Sequence, residues 1–318
     1  MSLNEFDIIQ RYFSSLTESH PDTVTGIGDD CAILDIPEGY QLAVSSDTLV
    51  SGRHFFADVD AESLGHKALA VNLSDLAAMG AKPAWVSLAL TLPKVDENWL
   101  AAFARGFGKL AQQYQVQLIG GDTTSGPLAI SLTVQGLVKK HRALYRSSAQ
   151  AGDVIVVSGT LGDAALALKQ LQNQQHPDKC LRQALEKPDP RVELGLALSG
   201  KAHSCIDISD GLLADLGHIC ERSKLGAEIY LQQLPISANL RAYLDATQDW
   251  SMVLSGGDDY ELCFTLSESE SVHLSSLSHQ LGIALTVIGR MTSGSGVTCR
   301  DGNHQRVKFD NLGFQHFR

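Results

Sequence analysis

Acidic residues recur at the ends of apolar runs in this 318-residue chain, each beside glycine or a small hydroxyl side chain. They occur in GIGDD (26–30), SSDT (45–48), NLSD (72–75), GGDTT (120–124), DISDG (207–211) and SGGDDYE (255–261). Taken singly, an Asp after Gly is more often an Asx turn or a helix cap than a ligand. Six such segments at predicted strand ends carry more weight, because loops there are where α/β proteins place chemistry. Gathered carboxylates repel unless a cation sits among them. Oxygen donors without His or Cys pairing suit magnesium or a similarly hard ion rather than zinc.

Two of these segments make sharper statements. Asp75 falls near one helical stripe with Leu64, Ala68, Val71 and Met79, so its carboxylate needs a partner to offset desolvation. Asp207 and Asp210 are three apart and flank a first helical turn if that helix starts near Ser209. A metal site and a capping arrangement are both open there.

The elements that position these residues are legible as alternating patterns. Strand-like runs lie at 42–47, 85–92, 116–121 and 128–138, with helix patterns at 62–81 and 97–114. The long run at 128–138 is typical of an antiparallel strand. The polar segment RSSAQAGD (146–153) reads as a domain boundary, giving an N-terminal domain over 1–148 and a C-terminal one over 149–318. Beyond it come the strand VIVVSG, a helix at 163–171, a strand at 204–208, a helix at 210–223, and strands near 227–231 and 260–266. The fold class expected is α+β, or mixed α/β, in two domains.

Composition removes several classes. Lys and Arg total 25 against 36 Asp and Glu, a net charge of −11, so nucleic acid is not an expected partner. A chain of this sign that binds an anionic substrate must neutralise it with metal ions or a few well-placed basic groups. Glu5 and Asp7 stand where a signal peptide needs positive charge, and no apolar stretch reaches membrane-helix length, so a cytoplasmic protein without membrane contact is expected. The six cysteines, Cys31, Cys180, Cys205, Cys220, Cys263 and Cys299, are scattered and read as reduced core or near-core thiols. GxxxxGK[ST], a complete GxGxxG, HExxH and GxSxG are all absent.

With GIGDDCAIL, SSDTLVSGRHF, NLSDLAAMGA, LIGGDTT, IDISDGLLADL and SGGDDYELCF in that order, the chain resembles the thiamine-monophosphate kinase family over nearly its whole length. The wider superfamily includes aminoimidazole ribonucleotide synthetase, selenophosphate synthetase and a hydrogenase-maturation protein. The resemblance implies an N-terminal domain whose sheet forms a barrel with its partner's in a homodimer, and a C-terminal α/β domain. It implies transfer of a phosphoryl group from ATP to thiamine monophosphate, giving thiamine diphosphate.

Carried over residue by residue, the resemblance makes Asp30, Ser45, Ser46, Asp47, Asp75, Asp122, Asp207 and Asp210 ligands of several magnesium ions. Gly121, Asp122, Arg146 and Ser209 match nucleotide contacts, and His54, Asp258 and Phe314 match thiamine-phosphate contacts. Asp75, Asp122 and Asp210 are the expected catalytic set. Asp258 stands where the family commonly has Glu, and RSSAQAGD replaces the usual RSGAKPGD. Away from the resemblance, His54 reads as a core or surface histidine and Phe314 as a packing aromatic, and Arg146 is equally a solvated loop cation.

The chemistry agrees with that implication. A phosphate monoester has a second pKa of about 6, so at neutral pH it is already a nucleophilic dianion and needs no general base. The barrier is then one of charge neutralisation and in-line positioning. The competing readings are another ATP-using synthetase of the superfamily and a metal-dependent phosphohydrolase. The reactive Cys segments of selenophosphate synthetase and of the hydrogenase-maturation protein are not found in this sequence.

Overall fold

The chain divides into two units, one holding the residues up to Leu76 together with Ala81–Lys140, the other Ala77–Gly80 with His141 onward. The computed structural model describes residues 4–309 and Gly313.

The first unit runs through α1 (Glu5–Ile8), a π-helical turn (Ile9–Phe13), β1 (Thr23–Thr25), β2 (Ile33–Leu34), β3 (Tyr40–Val50), α2 (Ala61–Ala78), β4 (Lys82–Leu92), α3 (Glu97–Tyr114), β5 (Gln117–Ser125) and β6 (Ala129–Lys139). Its main sheet has the order β3-β6-β4-β5, with β6 antiparallel to both neighbours, as the long run at 128–138 predicted. β4 and β5 are parallel and therefore need a crossover, which α3 supplies. Asp96 starts α3 by accepting the N–H groups of Asn98 and Trp99, each at 3.1 Å. Leu100, Phe103, Phe107 and Leu110 form its buried stripe. α2 is different: Leu64, Ala68, Leu69, Leu73 and Leu76 surround it and are at most 1% exposed, so it is an interior helix.

Residues paired across a sheet share a face, and two adjacent rows here have opposite fates. Asp47, Leu132, Leu88 and Gly121 form one row, whose leucines are buried. Thr48, Ser131, Ala89 and Asp122 form the next, on the face left open.

The second unit runs through β7 (Val154–Ser158), α4 (Asp163–Gln172), α5 (Lys179–Glu186), α6 (Val192–Leu198), β8 (Ser204–Asp207), α7 (Leu212–Ser223), β9 (Gly226–Tyr230), a 3-10 turn (Leu231–Gln233), α8 (Ala238–Thr247), α9 (Ser251–Ser255), β10 (Leu262–Leu266), α10 (Glu268–Ser271), α11 (Leu274–Leu281), β11 (Leu285–Thr292), β12 (Gly296–Arg300) and β13 (Arg306–Val307). Its sheet has the order β13-β12-β9-β11-β7-β10-β8, with only β12 and β9 parallel. Ile155, Val156, Val157, Cys263 and Phe264 in the central strands are fully buried, which is why those runs are apolar without alternation. Both units are mixed α/β, as expected.

Two expectations need correction. The helix after DISDG starts at Leu212 with Gly211 as its cap, so Asp207 closes β8 and Asp210 lies in the intervening turn; neither is in a first helical turn. Four cysteines are buried, but Cys31 and Cys180 are exposed. Cys31 precedes β2 in a loop, and Cys180 lies on the outer side of α5, whose inner side is Leu181 and Leu185. Burial pushes the Cys220 and Cys299 thiols up to about 11, which keeps them protonated and inert.

Candidate functional site

The expected residues fall into separate groups, each built by a different local device. In the first unit, Ser45 and Asp47 are two apart on β3 and share the face turned to α2. The Ser45 hydroxyl donates to Asp75 Oδ2 at 2.5 Å, which is the partner that a carboxylate on an interior helix requires. Asn72, fully buried one turn earlier, accepts the N–H of Asp47 on Oδ1 at 3.2 Å and donates from Nδ2 to the Ala68 carbonyl at 2.9 Å. A strand spacing of two thus meets a helix spacing of three. Ser46 points the other way and donates to the Leu132 carbonyl at 3.0 Å. Just beyond β3, His54 Nδ1 accepts the N–H of Val50 at 2.9 Å, which leaves Nε2 as the protonated nitrogen of the neutral ring.

Asp30 and Asp122 belong elsewhere in the same unit: both are exposed and line a cleft of about 970 Å³, together with Gly28 and Gly121. Gly121 has φ +145°, and a Cβ there would lie 1.8 Å from the Leu88 carbonyl oxygen, so no other residue fits. Asp122 and Asp47 do not meet within one chain. They lie on opposite faces and on opposite edge strands, about 14 Å apart across three strand spacings.

In the second unit, the turn after β8 stacks on the segment 256–260. Asp258 donates its N–H to the Ser209 carbonyl and Tyr260 its N–H to the Ile208 carbonyl, both at 2.8 Å. This brings Asp207, Ser209, Asp210 and Asp258 together, with Asp207 4% exposed and the other three half-buried. Asp258 itself adopts φ +65°, a conformation Asp tolerates better than most residues, so its backbone also shapes the turn. Next to it, Asp259 accepts the Gly162 N–H on Oδ1 at 2.8 Å, while its Oδ2 is buried without a partner. Burial, with Glu261, Asp163 and Asp258 nearby, holds its carboxyl well above the usual range. Glu261 is neutralised by Arg191 through two hydrogen bonds of 2.7 and 2.5 Å.

Arg146 is exposed on the loop following Tyr145. The last residue of α7, Ser223, fixes that loop by donating to the Arg146 carbonyl at 2.9 Å and accepting the Ala149 N–H at 3.2 Å. Phe314 lies outside the described residues.

Among the described residues, no three His, Cys, Asp or Glu side chains converge as a ready-made metal cage. The donors are oxygen-only and come in small groups such as Ser45 with Asp75. Magnesium takes one or two carboxylates and completes its shell with phosphate and water. The donor set therefore fits a metal that arrives with a polyphosphate.

Two residues escape motif reading. Asn72 reads in the sequence only as the start of an Asn-Leu-Ser triplet, and its signal is its position one turn before Asp75. Asp215 is signalled by a charge on the otherwise apolar side of α7, where Leu212, Leu216 and Ile219 are fully buried. Its Oδ2 accepts the N–H groups of Ser209, Asp210 and Gly211, each at 3.1 Å. Burial, then the Asp210 charge, pushes its carboxyl up to about 7 against the pull of those three donors.

Known proteins resemble the whole chain. The AIR synthase related protein N-terminal domain matches residues 28–138, and the C-terminal domain of the same description matches 150–302. The thiamine-monophosphate kinase of Escherichia coli strain K12 is 49% identical over 100% of this chain and 99% of its own length. The crystal structure of thiamine-monophosphate kinase from Stenotrophomonas maltophilia K279a superposes with a TM-score of 0.87 at 49% identity, covering 94% of this chain and 97% of that one. AaThiL complexed with AMPPCP and TMP superposes with a TM-score of 0.77 at 30% identity, covering 92% of each chain.

Proposed function

The chain belongs to the thiamine-monophosphate kinase family, and from that premise we infer how its residues share one reaction. It is an ATP-dependent kinase that converts thiamine monophosphate to thiamine diphosphate. The observation that carries this is the 49% identity to the E. coli kinase across the full chain. The relative solved with AMPPCP and TMP supports the same pair of reactants. A synthetase or phosphohydrolase reading is not favoured.

The acceptor phosphate is a dianion and attacks the γ-phosphorus of ATP in line, with ADP leaving. No side chain has to remove a proton. What remains is to bring two anions together in a chain of net charge −11, which needs held cations and fixed geometry. Magnesium, when bound, neutralises the phosphates and aligns the transferring group. Asp30, Ser45, Ser46, Asp47, Asp75, Asp122, Asp207 and Asp210 would hold several such ions, in the separate groups described above, a role supported by their oxygen-only chemistry. Gly121, Asp122, Arg146 and Ser209 contact the nucleotide, with Arg146 supplying a cation. Asp75, Asp122 and Asp210 would act catalytically as ligands of those ions, and His54, Asp258 and Phe314 would hold thiamine monophosphate.

In this reading, residues 1–148 supply nucleotide and metal binding and the dimer contact, and 149–318 complete the site. A homodimer closing a barrel is supported by β3, an eleven-residue edge strand on which Leu42, Val44 and Val50 are 41%, 59% and 37% exposed. A cytoplasmic location accords with the absence, among the described residues, of any helix long and apolar enough to cross a membrane.

The decisive experiment measures ADP and thiamine diphosphate formation with and without thiamine monophosphate, with and without chelator. Magnesium-dependent, acceptor-dependent turnover is expected. ADP release at equal rate without the acceptor identifies a hydrolase instead, and an isolable phosphoenzyme rules out direct transfer.

A further inference from the structure

A helix N-terminus with free N–H groups is ordinarily an anion site, and phosphate-binding proteins use it as one. The start of α7 is built the other way round. Gly211 provides no side-chain cap, and its φ of +121° turns the chain sharply into the helix. The N–H groups of Ser209, Asp210 and Gly211 all point inward to one atom, Oδ2 of Asp215, at 3.1 Å each. Asp215 is 3% exposed and sits four residues into the helix, where side chains lean back toward the N-terminus. An internal carboxylate therefore occupies the place a phosphate would take. With its amides committed, the turn is left with the side chains of Ser209 and Asp210, both half-buried, beside Asp207 at the end of β8.

We propose that Asp215 is a positioning residue: by taking the three amides of the Ser209–Gly211 turn it converts an anion-binding helix start into a cation-presenting one, and so fixes Asp207, Ser209 and Asp210 for the metal-bound nucleotide. This rests on the reading that those three residues hold the nucleotide and its magnesium. Asp215 touches neither reactant. Losing it frees three amides to turn outward and compete for phosphate, while the carboxylates lose their fixed aim. Second-sphere groups of this kind change metal affinity or activity by about 10- to 100-fold.

The test compares the full-length wild-type chain with Asp215→Ala and Asp215→Asn. The magnesium concentration for half-maximal kinase activity is expected to rise at least roughly tenfold in Asp215→Ala, with KM for thiamine monophosphate within about twofold. Asp215→Asn, which keeps an acceptor oxygen in place, is expected to fall between Asp215→Ala and wild type. A helix-stabilising role alone lowers the melting temperature and leaves the magnesium requirement unchanged, and that result overturns the proposal. If Asp215→Ala does not fold, Asp215→Asn decides on the same readout. Mn²⁺ binding in the presence of ADP, followed by electron paramagnetic resonance, separates the two readings. Failure of the wild-type chain to turn over sinks the functional reading, whereas equal Mn²⁺ affinity in wild type and Asp215→Asn sinks the role of Asp215.

Discussion

Asp75 and Asp258 are the residues whose substitution separates charge from shape. Asp75→Asn keeps an acceptor for the Ser45 hydroxyl, so the interior packing of α2 survives. The lost charge is expected to lower kcat by roughly 10²-fold, about 2.7 kcal/mol, the scale for removing one electrostatic element of a transition state. Turnover near wild type at saturating magnesium, with an unchanged circular dichroism spectrum, makes Asp75 structural. At Asp258 the positive φ matters as much as the carboxylate. Asn tolerates that conformation as Asp does, so Asp258→Asn isolates the charge. KM for thiamine monophosphate is expected to rise roughly tenfold, the worth of one hydrogen bond to a charged group, with KM for ATP unmoved. Equal KM values in the two proteins assign Asp258 to the turn alone. Motif reading found these carboxylates because Gly and Ser flank them. It could not find Asn72 and Asp215, whose work lies in backbone N–H groups that no sequence pattern displays.

At the scale of elements, α3 is legible to the residue because its cap and its apolar stripe agree. β3 runs from Tyr40 to Val50, longer than the 42–47 read from sequence, because this edge strand is largely exposed and only partly buried even on the face turned to α2, so its ends show no apolar alternation. The start of α7 is hidden for a related reason: Gly211 caps it without a side chain, and the group that takes the turn's N–H groups, Asp215, lies inside the helix, where no N-terminal signature points. Strands β11–β13 and helices α5, α6 and α8 carry no expectation from sequence; most are short, and even α5, with its clear buried side of Leu181 and Leu185, spans only eight residues. A clasp between helices gives a prediction at this scale. Asp249 accepts the Ser251 N–H at 3.0 Å and the Tyr243 hydroxyl at 2.8 Å, with Lys169 at 3.5 Å, joining α4, α8 and α9. The Ser251 bond, with Tyr243 and Lys169, brings its pKa down to about 2 from 3.8. The unfolded chain therefore takes up the proton first as pH falls. The stabilisation is complete above about pH 4 and fades toward pH 2. Melting temperature measured from pH 5 to 2 is expected to fall less steeply in Asp249→Asn than in wild type; parallel curves exclude the clasp.

For the molecule as a whole, the proposed pairing of two chains is open to a direct measurement. Val44→Asp places a charge on the open face of the β3 edge, where it disturbs no buried contact of the single chain. Light scattering is expected to show wild type at twice the single-chain mass and the variant at the single-chain mass, with the same melting onset for secondary structure. A variant that keeps the doubled mass excludes this edge as the contact. The partner of β3 within its own chain has a further consequence, for synthesis rather than for catalysis. Among the described residues β3 pairs only with β6, whose matching residues come some 80 to 100 positions later, Ala129 opposite Val50 and Lys139 opposite Tyr40. At about 5 to 20 residues per second on the ribosome, the strand carrying Ser45 and Asp47 waits roughly 4 to 20 s, both its edges bare, before the sequence that completes it emerges. Gln41 and the polar run Ser45–Thr48 interrupt the apolar residues of that strand, the pattern that limits sticking between exposed strands.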